Sequence, residues 1–235
     1  EQENLRYAKK LVKTMIWAYG GYKFHLYGGE GVVAGLREAY SSNGERAFDY
    51  NFMQNVYLRP MEFVCVSENE LPMSTCKAEP SSAKAGGYRI GFDAGGSDRK
   101  VTACIDGKVV YEKETIWFPK LNSDPNYHLE GIIDSIDNAL KALGGRVDAL
   151  GVSTAGIVVD NEVRVSSLFR KVSQKEQNEF VRPIYKNLAK RYNCPVKVAN
   201  DGDVAALAGA FTEGGEILGI AMGTSLAAGY VDSEM

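Results

Sequence analysis

The sequence predicts an α/β protein built on a mixed sheet, and three observations carry that expectation. Short apolar runs end in glycine or Asp-Gly turns, as in Tyr88–Asp93 and Val101–Ile105. Longer stretches between them have helical spacing. The order begins with a meander and continues as alternating strand and helix, which combines antiparallel and parallel pairing in one sheet.

Taken in order, the C-terminal region starts with a strand over Tyr88–Asp93. Val101–Ile105, the Asp106-Gly107 turn and Lys108–Glu112 then form a hairpin, because Asp-Gly supplies the positive φ of a tight turn. From His128 to Leu143, apolar residues at 129, 132, 133, 136, 140 and 143 trace one helix face, and Gly144-Gly145 stops it. Val147–Ser153 is the next strand, and Ile157–Val159 and Val163–Val165 flank Asp160-Asn161 as a small hairpin. Gln174 to Arg191 reads as helix with a break or restart at Pro183. Val196–Ala199 is a strand, Val204 to Phe211 an Ala-rich helix, and Ile217–Met222 and Ala227–Val231 two further strands. A three-stranded meander extended by βα units makes an RNase H-like lobe.

Residues 67–87 are polar, carry two prolines and close on Gly-Gly, as a linker does. The expected organisation is an N-terminal α/β segment (1–66), a linker (67–87), the RNase H-like lobe (88–213) and the start of a second, incomplete lobe (214–235). In the first segment, Tyr22–Tyr27, Gly28-Gly29 and Val32 to Ala39 read as strand, turn and helix, and Met61–Val66 as a last strand.

Composition narrows the function classes. Of the 235 residues, 45% are hydrophobic and 24% charged, enough apolar surface for a real core. A net charge of −3 with dispersed basic residues speaks against nucleic acid, and Lys9 and Lys10 read as a solvated helix face. No apolar run nears the roughly 20 residues of a membrane span, and the start lacks a basic-then-apolar signal, so the expected location is cytoplasmic. Cys65, Cys76, Cys104 and Cys194 lack CxxC spacing and read as buried free thiols. Neither a disulfide nor a zinc site is expected.

Three turns carry candidate chemistry. Asp93-Ala94-Gly95-Gly96-Ser97 follows the first strand of the lobe, where two glycines let backbone N–H groups approach a phosphate. The acid could hold Mg²⁺ through water. Asn200-Asp201-Gly202-Asp203 sits between a strand and a helix, where it is either an N-cap or the place for a general base. Gly223-Thr224-Ser225 follows another strand as a second turn of phosphate-loop type. Each alone has an ordinary structural explanation as a hairpin or cap; together, in this order and each at a strand end, they are far more specific.

On these residues, and on Gly151 through Val158 between them, the chain resembles the ROK (repressor, open reading frame, kinase) sugar kinases of the actin/hexokinase superfamily. Those carry DxGGT, G[IV]xxPG, NDxxAA and GTG motifs. The resemblance covers roughly residues 88–232 and implies an ATP-dependent sugar kinase with Mg²⁺. It makes Asp201 the general base, and Asn200 and Gly156 substrate contacts. It places Asp93 near the metal, and Gly95, Gly96, Ser97, Gly223, Thr224 and Ser225 on the nucleotide phosphates.

The sequence departs from the family at Ala155, where the family has proline, and at Ser225 and Ala228 in the second loop. It also lacks the family's cysteine-rich zinc cluster. The early end is expected from a fragment, a degenerate relative, or a permuted chain whose N-terminal segment supplies part of the second lobe. The alternative functions are a non-catalytic sugar- or nucleotide-binding regulator of the same fold and an ATPase resembling acyl-CoA dehydratase activators. Partners are expected to be sugar and ATP, with no membrane or nucleic acid, and the aromatics of the N-terminal region would suit a homodimer. His25 reads as a packed core histidine, His128 as surface or cap, and Trp117-Phe118-Pro119 as a loop packed on the lobe.

Overall fold

The computed structural model describes residues 2–73, 86–222 and 226–232. The chain divides into two compact units, Glu1–Lys77 and Ala78–Met235.

In the first unit, helix α1 (Gln2–Ala18) precedes strand β1 (Lys23–Tyr27), helices α2 (Glu30–Ala39) and α3 (Ala47–Tyr57), and strand β2 (Glu62–Val66), which pairs parallel to β1. Positions 12 and 16 of α1 and 33 and 36 of α2 follow helical spacing, and these side chains meet Phe63 of β2 in one apolar core. Burying a side chain of that size contributes about 1.5–3 kcal/mol. A charged group also lies inside: the Asp49 carboxylate is only 2% exposed and accepts from Trp17 Nε1 at 2.9 Å and Lys13 Nζ at 3.3 Å. The two elements missed in the sequence reading, most of α1 and all of α3, join this core through Val12 and Ile16 of α1 and Met53 of α3.

The second unit is organised by a five-stranded sheet whose strands lie in the order Lys108–Ile116, Asp98–Ile105, Tyr88–Ala94, Ala149–Thr154 and Val196–Asn200. Strands β3 (Tyr88–Ala94), β4 (Asp98–Ile105) and β5 (Lys108–Ile116) form the antiparallel meander, with Asp106 and Gly107 at φ 50° and 80° in its turn. Helix α4 (Pro125–Ala142), capped by Asp124, crosses to β6 (Ala149–Thr154), and β7 (Ile157–Val159) and β8 (Glu162–Val165) form a side hairpin. Strand β9 (Val196–Asn200) adds parallel to β6, as β6 does to β3. Alternation sends Ile90, Phe92 and Ala94 of β3 and Leu150 and Val152 of β6 into one core with Ile132, Ile136 and Ala139 of α4. The mixed α/β architecture expected from the sequence is present, with the strand order of an RNase H-like lobe.

The span 174–191 is not one helix. It comprises helix α5 (Gln174–Glu176), a π-helical turn over Gln177–Val181, non-helical turns and helix α6 (Leu188–Tyr192). Pro183 has no N–H to continue the ladder and its ring crowds the preceding turn, so the wide turn closes through Arg182 N–H to Gln177 O at 2.9 Å. Helix α7 (Asp201–Glu213) then packs on the hairpin of β10 (Ile217–Met222) and β11 (Leu226–Val231). Backbones meet there: a Cβ on Gly219 would lie 2.3 Å from Ala206 N, and one on Gly229 2.4 Å from Asp203 Cα. No described helix is long and apolar enough to cross a membrane.

Several smaller expectations are corrected. His128 is 0% exposed, because its ring nitrogens lie 3.1 Å from Asp124 O and 3.0 Å from Pro119 O in the interior of the loop. His25 is half-buried, since the two-stranded sheet that carries it is covered only in part. Lys9 is half-buried and paired with Glu45 rather than solvated. Among the described cysteines, all free, Cys194 is buried while Cys65 is exposed. Cys76 lies outside the described residues.

Candidate functional site

The parallel strands bring the candidate turns to one end of the sheet. Ala94 of β3 pairs with Thr154 of β6, and Thr154 with Asn200 of β9, so the three strands end in register. Gly95 and Gly96 therefore follow β3, Ala155 and Gly156 follow β6, and Asp201 follows β9, side by side at the carboxyl ends. At about 4.8 Å per strand the outer two turns start roughly 10 Å apart. Carboxyl ends of parallel strands are where open α/β sheets place ligands.

Asp93 pairs with Ser153 of β6 and Lys100 of β4, and so shares a sheet face with both. That face is open, for Gly91 and Gly151 are exposed and an added Cβ on either would meet nothing within 4 Å. Lys100 binds Asp98 at 3.1 Å; this hydrogen bond, and secondarily the charges of Asp98, Glu114 and Asp93, hold the ammonium above the ordinary lysine range. A persistent cation thus stands beside an otherwise acidic loop.

In the first turn, Gly95 is required by space: a Cβ there would stand 2.6 Å from Asp98 O. Gly96 follows it, half-buried, and Ser97 is exposed with its hydroxyl donating to Asp98 Oδ2 at 3.1 Å. Gly156 adopts φ 114°, and a Cβ would strike Val165 O at 2.1 Å, so both conformation and space exclude a side chain.

Asn200 joins the second and third strands. Its Nδ2 donates to Gly156 O at 2.8 Å, while its Oδ1 caps α7 by accepting from Gly202 N at 2.8 Å. Asp201 occupies the first helical position, where the positive end of the helix dipole stabilises a carboxylate. Two positions further along the helix, the Asp203 carboxyl titrates above the usual range, from desolvation first and the Asp201 charge second, although much of the residue is open to solvent. Gly202 has to be glycine because Ala228 backbone atoms approach to 2.6 Å of its Cβ position.

The structure thus brings together Asp93, Gly95, Gly96, Ser97, Gly156, Asn200 and Asp201. Gly223, Thr224 and Ser225 lie outside the described residues. Sequence reasoning missed the contacts that three residues make beneath the site. Thr154 Oγ1 and Tyr185 OH lie 3.1 Å apart, both 0% exposed, and burial drives the phenol well above its usual range, with the Asp93 charge adding to the shift. Trp117, 1% exposed, donates Nε1–H to Gly95 O at 2.9 Å. A buried indole N–H needs an acceptor, which is the signal that could have tied Trp117, read from the sequence as part of a loop packed on the lobe, to this turn. The cavity of about 420 Å³ lined by Asp137, Leu140, Lys141, Gly144 and Gly145 belongs to the opposite end, where α4 returns toward the start of β6.

Comparison with known proteins places the chain. Residues 89–231, more than half of it, match the ROK family, and the chain belongs to that family. Similar solved structures include the inorganic polyphosphate/ATP-glucomannokinase of Arthrobacter sp. strain KM, at 22% identity and TM-score 0.46 over 62% of this chain and 58% of that one. The ROK hexokinase of Thermus thermophilus has 20% identity and TM-score 0.45 over 62% and 46%. A ROK family transcriptional regulator, a homolog of the E. coli MLC protein, has 17% identity and TM-score 0.45 over 64% and 38%. The chain spans about half the length of these structures, and its membership rests on the family match alone. None of the curated proteins matches it.

Proposed function

We propose that this chain carries the phosphate-loop and catalytic-base half of an ATP-dependent sugar kinase. The observation that supports this reading best is the register Ala94–Thr154–Asn200, with which the Gly95-Gly96 turn and Asp201 stand at the same end of the sheet with one strand between them. Family membership points the same way.

In this reading the Gly95-Gly96-Ser97 backbone binds nucleotide phosphate, and the second loop at Gly223, Thr224 and Ser225 does the same from its own hairpin. Asp201 accepts the proton of a sugar hydroxyl as that oxygen attacks the γ-phosphorus, and the phosphorus–oxygen bond to ADP breaks. Asp201 begins helix α7, directly after the carboxyl end of β9, where a general base would meet a substrate in the cleft. Positioning then supplies most of the rate, as in phosphoryl transfer generally. Asn200 orients the Gly156 turn through its Nδ2 bond; the second Nδ2 hydrogen is left for a sugar oxygen.

The residues suit magnesium held mainly by nucleotide. Among the described residues no three acidic, histidine or cysteine side chains gather into a ligand set, whereas Mg²⁺ keeps most of its waters and takes one carboxylate plus substrate phosphates. Asp93, on the open face next to the glycine turn, would be that carboxylate. When bound, the ion would neutralise phosphate charge.

The test is phosphotransfer from Mg·ATP to a panel of hexoses and N-acetylated hexosamines by this chain and by Asp201→Asn. The reading expects turnover with at least one sugar and a loss of about 10³-fold or more in the variant, with nucleotide affinity kept. Nucleotide or sugar binding without turnover by the unaltered chain would indicate a regulator. Undiminished turnover in the variant would remove Asp201 as base.

A further inference from the structure

We propose that Trp117 is the positioning residue of the first phosphate loop, fixing the carbonyls on both sides of Gly96 so that the Gly96 N–H faces the ligand space. The inference rests on the nucleotide reading given above and adds to it the residue that sets the loop's shape.

Two bonds carry the argument. The Trp117 indole Nε1–H donates to Gly95 O at 2.9 Å, and the Trp117 backbone N–H donates to Ser97 O at 3.1 Å. One residue therefore brackets the Gly95-Gly96-Ser97 turn from a single side. In a trans peptide the C=O and the following N–H point in opposite directions. With Gly95 O drawn toward the indole, the Gly96 N–H is turned away from it, toward the open mouth of the loop. An unrestrained Gly-Gly turn would lose this orientation, since glycine samples more backbone conformations than any other residue. Fixing it beforehand removes an ordering cost from ligand binding.

The indole is itself held in a socket. Its ring centre lies 6.3 Å from that of His128 at 73°, and the Arg99 guanidinium stands 6.0 Å above it. Arg99 in turn binds Asp134 of α4 at 2.8 Å. Gly131 makes room, since a Cβ there would lie 2.5 Å from Arg99 Nη1 and 3.3 Å from Trp117 Cε3. Helix α4 thereby sets the indole, and the indole sets the loop. The next residue, Phe118, is 57% exposed while Trp117 is 1% exposed, so burial of the pair is selective for the side chain with a donor.

The test uses Trp117→Phe, which keeps an aromatic ring and the backbone bond to Ser97 but removes the indole N–H. Amide hydrogen exchange and Mg·ATP affinity are measured well below the melting temperature. Exchange of the backbone N–H at position 117, which donates to Ser97 O, is expected to rise about tenfold with that at Ile90 and Phe92 unchanged, and affinity for Mg·ATP to fall about tenfold, the size of one buried hydrogen bond. A purely structural role would lower the melting temperature and leave the local exchange ratio alone; that result overturns the proposal. If Trp117→Phe fails to fold, Gly131→Ala presses on the ring with the N–H retained and is read by the same exchange ratio, where no change again overturns it. Absence of Mg·ATP binding by the unaltered chain would defeat the nucleotide reading, while the exchange ratio would still decide whether Trp117 orders the loop.

Discussion

Both units contain a strand followed by two glycines, and the two pairs are glycine for different reasons. After β1, Gly28 and Gly29 take φ 72° and 74°, and Gly29 caps α2. Space is not limiting at Gly28, where an added Cβ meets nothing within 4 Å. After β3, neither Gly95 nor Gly96 has positive φ, yet a Cβ on Gly95 would lie 2.6 Å from a backbone oxygen. One pair answers to backbone conformation and leads into a helix. The other answers to close approach and is bonded on both sides to Trp117. The same dipeptide therefore says little about function until the neighbouring backbone is known.

The comparison can be broken most severely at the second pair. Gly95→Val should cost about 1–3 kcal/mol of stability by overpacking against Asp98 O, and should weaken Mg·ATP binding more than about tenfold. Denaturant melts and calorimetry read both. Gly28→Ala should cost about 1–2 kcal/mol, the strain of a left-handed conformation for an L-residue, with Mg·ATP affinity unchanged. A loss of affinity there would mean that the two turns are not functionally distinct.

A smaller effect sharpens the electrostatic side. Asp201→Asn should lower the raised titration of Asp203, because the Asp201 charge is its second cause after desolvation; carboxyl NMR titration would detect it. The smallest concerns Glu162, whose carboxyl is held below its usual range first by the Lys186 hydrogen bond at 2.8 Å. Its stabilisation is therefore complete above the unfolded value near pH ~4.3 and is lost as pH falls through the lower folded value. Glu162→Gln should remove under about 1 kcal/mol at neutral pH, given solvent screening, and nothing at pH ~2. Thermal melts across that range check it.

Much of the second unit was legible because its strands state themselves. Ile90, Phe92 and Ala94 alternate inward, and Asp106-Gly107 marks its turn. The acid at 201 and the glycines at 95, 96 and 156 could be placed at strand ends without coordinates. What could not be read were contacts between residues distant in sequence. Trp117 reaches Gly95 across 22 positions, and Thr154 meets Tyr185 across 31. No periodicity encodes such pairings. His128 looked like a surface residue or cap because it sits at a helix start beside Tyr127, whereas its environment is supplied by Pro119, Trp117 and Phe169. The interrupted segment 174–191 was only half legible: Pro183 announces a break but not the π-helical turn that absorbs it.

The central claim is that the turn after β3 forms a phosphate site next to Asp201. Its most direct test is Mg·ATP binding by calorimetry to the unaltered chain, Gly96→Val and Asp201→Asn, with and without the sugar panel. The account predicts binding to the unaltered chain that Gly96→Val weakens more than about tenfold and Asp201→Asn preserves. Equal affinity in the unaltered chain and Gly96→Val, or no binding at all, would contradict it.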